Sequence, residues 1–466
     1  MMRIEQRIFD QSKKTPHHWA LSNGQTRMSF STLQTCIRQR KKQFLNAGAK
    51  PGDIFAICLP NDITYVIDVL AVLECKGIIM PLHHELSDSE LERTFSIQMP
   101  HWLISNKGIQ KMPVKEEHSF TTLNYTLSDP LLFGFTSGST GFPKGFIKSH
   151  DSWSSAFDEW SENFHLRAGD RILIPLHLSY SAQLFAALQA LCVGIEVHMV
   201  NNFSPESFFN SESTCVTITP ALIQPLIKYH QVHPLETNKM PHTVISVGNT
   251  LSTKLRRSFE KAFPNSQLYE YYGSSEMGCV SILTPEQAKK GPDTVGFPIK
   301  SVDVTIRNDI GEVVPFGEIG KVFVKTAQAF SGFVNNSVET ERSFYKGYVT
   351  SHDLGLMNED GSLKIIGRDR DIIKSGGSMI FTEEIEELLL SIQGVEEAAV
   401  FGQLDDSRSE IVVAAVVLND ISLSETKKAL NSMLASYKKP RKWIVLKELP
   451  KLRSGKVDKI SLKKIK

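Results

Sequence analysis

The segment Leu131–Gly145 reads LLFGFTSGSTGFPKG, an apolar strand followed directly by a loop rich in glycine and hydroxyl side chains. Backbone N–H groups and hydroxyls in such a loop can surround the oxygens of a polyphosphate, and Lys144 adds a positive charge. A Walker phosphate loop requires Gly-Lys-Ser/Thr at the start of a helix. Here Pro143 precedes Lys144 and Gly145 follows it, so the sequence predicts a phosphate-binding loop of another kind.

Short β-branched runs alternate with helical patterns on both sides of this loop. IFAICL from Ile54 precedes a helical stretch over residues 61–76, while RILIPL from Arg171, CVTITP from Cys215 and TVISVG from Thr243 are each followed by a periodic segment. Strands separated by crossover helices are typical of parallel βαβ units, whose strands are buried on both faces. The predicted fold class is therefore α/β.

Beyond Asp293 the pattern changes to strand-like pieces separated by glycine, proline and acidic turns, which predicts an antiparallel or barrel-like β-rich subregion. The charged run GRDRDIIKSGG from Gly367 precedes a helix predicted to begin near Thr382. We place a domain boundary at this run. A large N-terminal domain, residues 1–369, with parallel α/β subdomains plus the β-rich subregion, is then joined by a hinge to a small mobile α+β domain, residues 370–466.

Composition and charge exclude several classes of function. Lys and Arg total 52 against 51 for Asp and Glu in 466 residues, so no overall positive field indicates a nucleic-acid partner. The six cysteines contain no C-x-x-C pair, which favours free thiols in a reducing, cytoplasmic location. The charged N-terminal sequence is not that of a signal peptide, and the apolar stretch 184–195 is too short to cross a bilayer. We expect no integral membrane segment.

The loop TSGSTGFPKG resembles the phosphate loop of the adenylate-forming superfamily, which includes acyl-CoA synthetases, peptide-synthetase adenylation domains and firefly-type luciferases. Further segments are similar to that family's motifs, in the family's order and across nearly the whole chain: EYYGSSEMG from Glu270, VGFP from Val295, GEIGKV from Gly317, GYVTSHDLG from Gly347, GRDRDIIKSGG from Gly367 and LPKLRSGKVDK from Leu449. The resemblance implies a large domain that binds ATP and a carboxylic acid, and a mobile small domain that carries a catalytic lysine.

The resemblance also implies a set of nucleotide-binding residues. Tyr272 would stack on adenine, Ser275 would hydrogen-bond the α-phosphate or the acyl carboxylate, and Asp353 and Arg368 would bind the ribose. His352 stands where the family usually has a glycine, which predicts altered packing beside Asp353. The full set implied for ATP or AMP binding is Thr136, Ser137, Gly138, Ser139, Thr140, Gly141, Lys144, Gly248, Asn249, Tyr272, Gly273, Ser275, Asp353 and Arg368.

Three further residues are implied to serve the chemistry. An acyl adenylate forms when a carboxylate attacks the α-phosphate of ATP, so negative charge must be screened there. The resemblance assigns Lys456 to bridge these two groups and Glu276 to bind magnesium together with ATP oxygens. His177 corresponds to the substrate-site histidine, although its register is one residue short, and a hydrogen-bonded core histidine is the alternative for it and for His150.

The hinge and the path of coenzyme A are implied by the segment after Gly367. Arg370 occupies the hinge position, where Asp or Lys is usual. Lys374, Gly376 and Gly377 are implied to lie along the path of the pantetheine arm, with a tight left-handed turn as the alternative for the two glycines. Val247 replaces a common glycine in the adenine-flanking segment SVGNTL, which also predicts altered packing around the nucleoside.

The acid itself is only partly indicated. Amino-acid-activating relatives normally carry an aspartate before the substrate helix, whereas this chain has Ser-Tyr-Ser at residues 179–181. Because an unpaired ammonium would be costly there, an amino acid is disfavoured. Leu184, Phe185 and Leu188 could form an apolar wall or simply the core of a crossover helix. We expect a fatty acid, with an aromatic carboxylic acid as the alternative.

The predicted function is therefore that of an ATP-dependent acyl-CoA synthetase that uses ATP, magnesium and coenzyme A. Coenzyme A is favoured as acceptor because the sequence contains no carrier domain or serine-bearing carrier motif. Loading of a separate carrier protein is the alternative within this class. A catalytically inactive nucleotide-binding homologue is the alternative from a different class, and the sequence does not indicate an oligomeric state.

Overall fold

The structure is a computed structural model of the chain. It describes residues 2–113, 129–136, 144–234, 240–249, 251–291, 293–368, 372–375, 378–405, 409–452 and 455–465.

The described residues form fifteen α-helices and, at Ser436–Lys438, a short 3-10 helix. They are α1 (Ile4–Lys14), α2 (Phe30–Ala47), α3 (Ile63–Glu74), α4 (Asp88–Ile97), α5 (His150–Ser154), α6 (Phe157–Asn163), α7 (Ser181–Val193), α8 (Pro205–Asn210), α9 (Pro220–Val232), α10 (Thr253–Ala262), α11 (Pro285–Lys290), α12 (Ser337–Ser343), α13 (Thr382–Ser391), α14 (Leu423–Met433) and α15 (Lys459–Lys463).

The strands of the first two-thirds of the chain are β1 (Trp19–Asn23), β2 (Arg27–Ser29), β3 (Ile54–Cys58), β4 (Ile78–Pro81), β5 (Trp102–Ser105), β6 (Gly108–Lys111), β7 (Pro130–Thr136), β8 (Lys144–Ser149), β9 (Arg171–Ile174), β10 (Glu196–Met199), β11 (Cys215–Ile218), β12 (Thr243–Ser246), β13 (Gln267–Ser274), β14 (Gly278–Leu283) and β15 (Phe297–Pro298). The remaining strands are β16 (Asp303–Arg307), β17 (Gly320–Lys325), β18 (Gly332–Phe333), β19 (Phe344–Tyr345), β20 (Tyr348–Val349), β21 (Asp353–Met357), β22 (Leu363–Arg368), β23 (Ile372–Ser375), β24 (Ser378–Phe381), β25 (Val395–Asp405), β26 (Ser409–Leu418) and β27 (Lys442–Leu446).

Sheet A has the strand order β15-β14-β13-β12-β11-β9-β10-β1-β2. The strands from β13 to β1 are parallel, and antiparallel strands lie at both edges. The chain continues from β9 to β10 on one side and later to β11 on the other, so the strand order reverses at β9. In open α/β sheets, ligands bind beyond the carboxyl ends of the strands at such a point.

Sheet B has the order β18-β8-β7-β4-β3-β5-β6, in which β7, β4, β3 and β5 are parallel. Its strand order reverses at β3. Asn61, just beyond β3, joins the carboxyl edges of the two sheets: its Nδ2 donates to the carbonyl oxygens of Leu176 and Val200, and its Oδ1 accepts from the N–H of Leu178. The two edges that the topology favours for ligand binding therefore face each other.

Two smaller sheets complete the fold. Sheet C contains β16, β17 and β19–β22 in antiparallel pairs, as the turn pattern beyond Asp293 predicted. Sheet D, with the order β24-β23-β26-β25 and β27 parallel to β26, forms the small C-terminal domain with α13 and α14. The α/β class with a large N-terminal and a smaller C-terminal domain is confirmed. The boundary between residues 369 and 370 remains a prediction.

Local sequence signals account for many element ends. The helix predicted over residues 61–76 is α3, and the helix predicted near Thr382 begins at that residue. Ser422 and Glu425 form a reciprocal capping box at the start of α14, which satisfies two backbone N–H groups. No helix among the described residues is both long and apolar enough to span a lipid bilayer.

Candidate functional site

A cavity of about 2300 Å³ lies over the carboxyl edges of sheets A and B and extends beneath the small domain. Its walls contain residues predicted for nucleotide binding and chemistry: Lys144, Gly248, Asn249, Tyr272, Gly273, Ser275, Glu276, Asp353 and Lys456. Segments more than 300 residues apart in sequence thus meet at one site, and the volume exceeds the roughly 300–1,000 Å³ typical of a single small-ligand pocket.

Asp353, at the start of β21, forms a polar corner of this cavity. Its side chain is buried, and its Oδ2 accepts hydrogen bonds from the Tyr272 hydroxyl at 2.6 Å and from Ser351 Oγ at 2.7 Å. Two neutral donors on one oxygen fix the orientation of the carboxylate. Such a carboxylate can accept hydroxyl groups of a sugar.

His352 occupies a backbone position suited to glycine. Its φ is +64°, in the left-handed region that side chains with a Cβ adopt at a cost of about 1–2 kcal/mol. This conformation accounts for the glycine that the resembled family usually has at this position. The N–H of His352 donates to Thr350 Oγ1, which holds the turn before Asp353.

The hairpin of β13 and β14 presents Glu276 at its tip. Ser274 Oγ accepts from the backbone N–H of Glu276 and of Met277, and the Glu276 carbonyl accepts from Phe330 N–H at 2.8 Å. A Cβ at Gly273 would lie 2.1 Å from the Gly278 carbonyl oxygen, so only glycine permits this tight pairing. The half-buried side chain of Glu276 is thereby held at the cavity wall.

Ser275, on the same tip, lies close to the start of α7. Its Oγ is 3.4 Å from Ser181 Oγ, so two hydroxyl groups from different segments meet inside the cavity. A carboxylate or phosphate oxygen placed there could accept from both.

Lys144 lies at the beginning of β8, directly after the predicted phosphate loop. Its Nζ pairs with Glu339 Oε1 at 2.6 Å, and this ammonium group lowers the pKa of the Glu339 carboxyl. The same Nζ lies 5.6 Å from the centroid of the Phe333 ring. Sequence reasoning did not identify Glu339, because no local pattern links it to Lys144, which lies 195 positions earlier in the chain.

Lys456 reaches the cavity from the small domain. Its loop is closed by hydrogen bonds from Leu452 N–H to the Lys456 carbonyl and from Gly455 N–H to the Leu452 carbonyl. A Cβ at Gly248 would lie 3.9 Å from Lys456 Cε, and Gly455 approaches Ala221 at the start of α9. The structure therefore places this lysine at the carboxyl edge of sheet A, together with the residues of β12 and β13.

His177 follows β9 at the point where the strand order of sheet A reverses. Its Nε2 is 2.9 Å from the Leu59 carbonyl oxygen, to which only an N–H can donate, and its Nδ1 contacts Ser179 Oγ at 2.9 Å. Burial lowers its pKa to about 3, so the ring is neutral near pH 7. His83 and His84 pack against it, and among the described residues these three form the only cluster of at least three potential metal-ligating side chains.

His150 is a core residue. It is 1% exposed, its Nδ1 accepts from the N–H of Ile4 at 3.3 Å, and burial lowers its pKa to about 3. Of the two interpretations for His150, the structure supports packing of α1 against the large domain rather than contact with a ligand.

Aromatic side chains form one wall of the cavity. Phe185 of α7 contacts Trp153 and Trp160 with ring centroids 5.6 and 5.1 Å apart, and Trp160 contacts Tyr271 at 5.1 Å. Leu184 and Leu188 are fully buried in the core, so only Phe185 of the three wall candidates on α7 lines the cavity.

Lys148, on β8, is a buried cation that sequence reasoning missed. It is 3% exposed, and its Nζ donates to the Gln328 carbonyl oxygen at 2.5 Å. Burial lowers the pKa of Lys148 to about 7, and the negative charge of Glu276 offsets part of this lowering. The sequence KGFIKS could have indicated this side chain, because alternate residues of a strand share one face and Lys148 therefore lies on the same face as Lys144 and Phe146.

Several predicted residues lie outside the described part of the chain. These are Ser137, Gly138, Ser139, Thr140 and Gly141 of the phosphate loop, Arg370 at the hinge, and Gly376 and Gly377 of the coenzyme A path. The same applies to the side chains of Thr136, Arg368 and Lys374.

Comparison with known proteins identifies the class to which this site belongs. The model of the AMP-binding enzyme family matches residues 8–334, and that of the AMP-binding enzyme C-terminal domain matches residues 384–456. The chain belongs to the AMP-binding enzyme family, and the superfamily predicted from the motifs is confirmed.

Individual relatives match over almost their whole length. The chain is 31% identical to the uncharacterized acyl–CoA ligase YhfT of Bacillus subtilis, over 99% of this chain and 98% of the relative. It is 28% identical to the 2-succinylbenzoate–CoA ligase of Oceanobacillus iheyensis, over 90% of each chain. The solved structure of o-succinylbenzoate CoA synthetase from B. subtilis with its acyl-adenylate intermediate has a TM-score of 0.86 at 23% identity, covering 99% of this chain and 98% of that chain, and shows the shared fold.

Proposed function

We propose that this protein is an AMP-forming acid–CoA ligase. In the first step, a carboxylate oxygen of the acid attacks the α-phosphorus of ATP, which gives acyl-AMP and releases pyrophosphate. In the second step, the thiol of coenzyme A attacks the acyl carbon, which gives a thioester and releases AMP. The observation that carries the proposal is that Lys456 of the small domain lies in the same cavity as Glu276 and Asp353.

For the first step, the described residues supply positioning and charge. Asp353, held by Tyr272 and Ser351, would accept the ribose hydroxyls, and Lys456 would screen charge between the acid and the α-phosphate. Ser275 and Ser181 would donate to oxygens of the reacting groups. Binding of the triphosphate would compete with Glu339 for Lys144, because both are anionic partners of one ammonium group.

The residues of this site fit a magnesium ion that is held by one protein carboxylate together with the phosphates of ATP. Glu276 offers one cavity-facing carboxylate, and among the described residues no cluster of three or more carboxylates surrounds it. Magnesium is commonly held by one or two carboxylates plus phosphate oxygens and waters. Glu276 would thus hold an ion that neutralises phosphate charge when ATP is bound.

His177 would serve the second step as a neutral positioning group. Its pKa of about 3 excludes a permanent imidazolium at physiological pH, and its contacts to Leu59 and Ser179 fix the ring. The ring packs against His83, which lines the cavity and in turn contacts the ring of Tyr180. Its place at the carboxyl edge of β9 is where an acyl group and an incoming thiol could meet.

A fatty acid remains the first substrate prediction, and the aromatic wall favours an aromatic acid as second candidate. Trp153, Trp160, Phe185 and Tyr271 meet mostly edge to face, which leaves flat surfaces against which a ring can pack. Coenzyme A is the proposed acceptor and the cytoplasm the proposed location. A carrier protein is the alternative acceptor, while the presence of Lys144, Glu276, Asp353 and Lys456 argues against an inactive homologue.

Pyrophosphate release tests the proposal. The purified chain is assayed with ATP and magnesium against fatty, aromatic and amino acids, each with and without coenzyme A. Release that depends on one acid, with its coenzyme A thioester detected by mass spectrometry, would support the ligase. Acid-dependent adenylate without thioester would favour a carrier protein, and no release with any acid of the panel would contradict the proposal.

A further inference from the structure

Lys148 is a buried basic group that has no direct ion-pair partner among the described residues, and Glu276 is the one negative charge that acts on it from a greater distance. Its ammonium group has three N–H donors, and the one hydrogen-bond acceptor found among the described residues is the Gln328 carbonyl oxygen. Within the same part of the chain, no carboxylate lies within ion-pair distance of its Nζ. A buried ammonium is costly unless it is paired with an anion or fully hydrogen-bonded, so this position is unfavourable in the protein alone.

The side chain nonetheless has a defined place. Gln328, whose carbonyl accepts from Lys148, clasps the backbone of Cys279: its Oε1 accepts from Cys279 N–H at 2.9 Å, and its Nε2 donates to the Cys279 carbonyl at 3.3 Å. This clasp ties Lys148 to the β13–β14 hairpin. Lys148, Gln328 and Cys279 are all among the residues that line the cavity.

The position along β8 separates Lys148 from the phosphate loop. Lys144 begins the strand beside that loop, and four residues at about 3.3 Å each put the Lys148 backbone roughly 13 Å further along. The chain then turns directly into α5, where Ser152 and Trp153 also line the cavity. Trp153 is part of the aromatic wall. Lys148 therefore lies further from the phosphate loop than Lys144 does, next to the segment that leads into the aromatic wall.

We propose that the acid activated by this enzyme carries a second acceptor group, a carboxylate above all, which Lys148 binds while the first carboxylate reacts with ATP. This inference rests on the proposed ligase function and deepens it. The body of such an acid packs against the aromatic wall, and its second carboxylate supplies the direct ion-pair partner that no described residue gives Lys148. Charge-assisted hydrogen bonds of this kind are stronger than neutral ones and discriminate against analogues without the acceptor.

Matched pairs of acids test this directly. Linear dicarboxylic acids of four to eight carbons are compared with monocarboxylic acids of equal length, and the three benzenedicarboxylic acids with benzoic acid. We expect at least one diacid to exceed its partner in kcat/KM by about 10- to 100-fold. Lys148→Met, which keeps the length of the side chain but removes its charge, should reduce this preference by most of that factor. Lys42→Met, at an exposed lysine of α2, should keep the wild-type preference.

Three results would overturn the inference. In the first, thioester forms but every monoacid is used as well as its diacid partner. In the second, Lys148→Met lowers kcat/KM equally for diacids and monoacids and raises the KM for ATP or the magnesium concentration required. That result would show that the lysine acts on Glu276 or on the phosphates of ATP. In the third, Lys148→Met, shown folded by circular dichroism, keeps the full preference. Lys148→Gln replaces Lys148→Met in all of these comparisons if the methionine variant does not fold. Absence of thioester with every acid would instead reject the ligase itself.

Discussion

Gly455 provides a sharp test of how Lys456 is positioned. Its φ is +80°, and a Cβ at this residue would lie 3.3 Å from Ala221 Cβ and 3.8 Å from Thr219 Oγ1. Gly455→Ala therefore acts twice on the loop. It places a side chain in the left-handed region, and it pushes the loop away from the start of α9, against which the small domain rests.

The expected magnitude follows from the backbone conformation. A residue with a Cβ pays about 1–2 kcal/mol in the left-handed region, and the approach to Ala221 is tighter than most Cβ contacts. Since 1.36 kcal/mol corresponds to a factor of ten in rate, a penalty of this size on the arrangement that brings Lys456 into the cavity lowers the rate of adenylation by about 5- to 30-fold. Thioester formation from supplied acyl-AMP should change by less than about twofold, because that step does not require Lys456 at the α-phosphate.

ATP–pyrophosphate exchange measures the first step, and single-turnover conversion of acyl-AMP to thioester measures the second. Gly52→Ala is the matched control, since Gly52 has φ of +87° on an exposed turn with no atom within 4 Å of an added Cβ. It should carry the same local strain without affecting exchange. Unchanged exchange in Gly455→Ala, or an equal loss in both variants, would refute this account of the loop.

Three other perturbations have defined outcomes. Lys456→Ala should lower adenylation by orders of magnitude while calorimetry still detects ATP binding; exchange at the wild-type rate would contradict its role. Gly377→Leu, outside the described residues, should impair thioester formation more than adenylation, and equal loss of both steps would argue against a pantetheine path there. His150 has a pKa lowered by burial from 6.5 to about 3, so the unfolded chain binds a proton that the folded chain rejects, and stability falls as the pH drops below about 6.5. At pH 5 this amounts to about 2 kcal/mol; His150→Gln should remove about that much of the difference between urea unfolding at pH 7.5 and pH 5, and an unchanged difference would contradict the assignment.

The sequence predicted the fold well where the signal is local. Apolar runs such as Ile54–Cys58 and Cys215–Ile218 are buried parallel strands, and glycine and acidic turns beyond Asp293 mark the antiparallel sheet. These features depend on residue patterns within one element or one turn. The motif segments likewise predicted which residues gather in the cavity, because each motif carries its own spacing.

The sequence could not predict pairings between distant segments. The contact of Lys148 with Gln328 joins residues 180 positions apart, and that of His177 with Leu59 joins residues 118 positions apart. Neither pair leaves a periodic pattern. The wall on α7 illustrates the same limit: its residues are uniformly apolar, so only the packing shows that Phe185 faces the cavity while Leu184 faces the core.

The path of one oxygen atom tests the central claim most directly. An accepted acid labelled with ¹⁸O in the reacting carboxylate is turned over with ATP, magnesium and coenzyme A, and the products are analysed by mass spectrometry. If the carboxylate attacks the α-phosphorus, one labelled oxygen stays with AMP when the thiol displaces it, and pyrophosphate carries none. Unlabelled AMP, or label in inorganic phosphate together with ADP, would show that no acyl adenylate forms and would contradict the account.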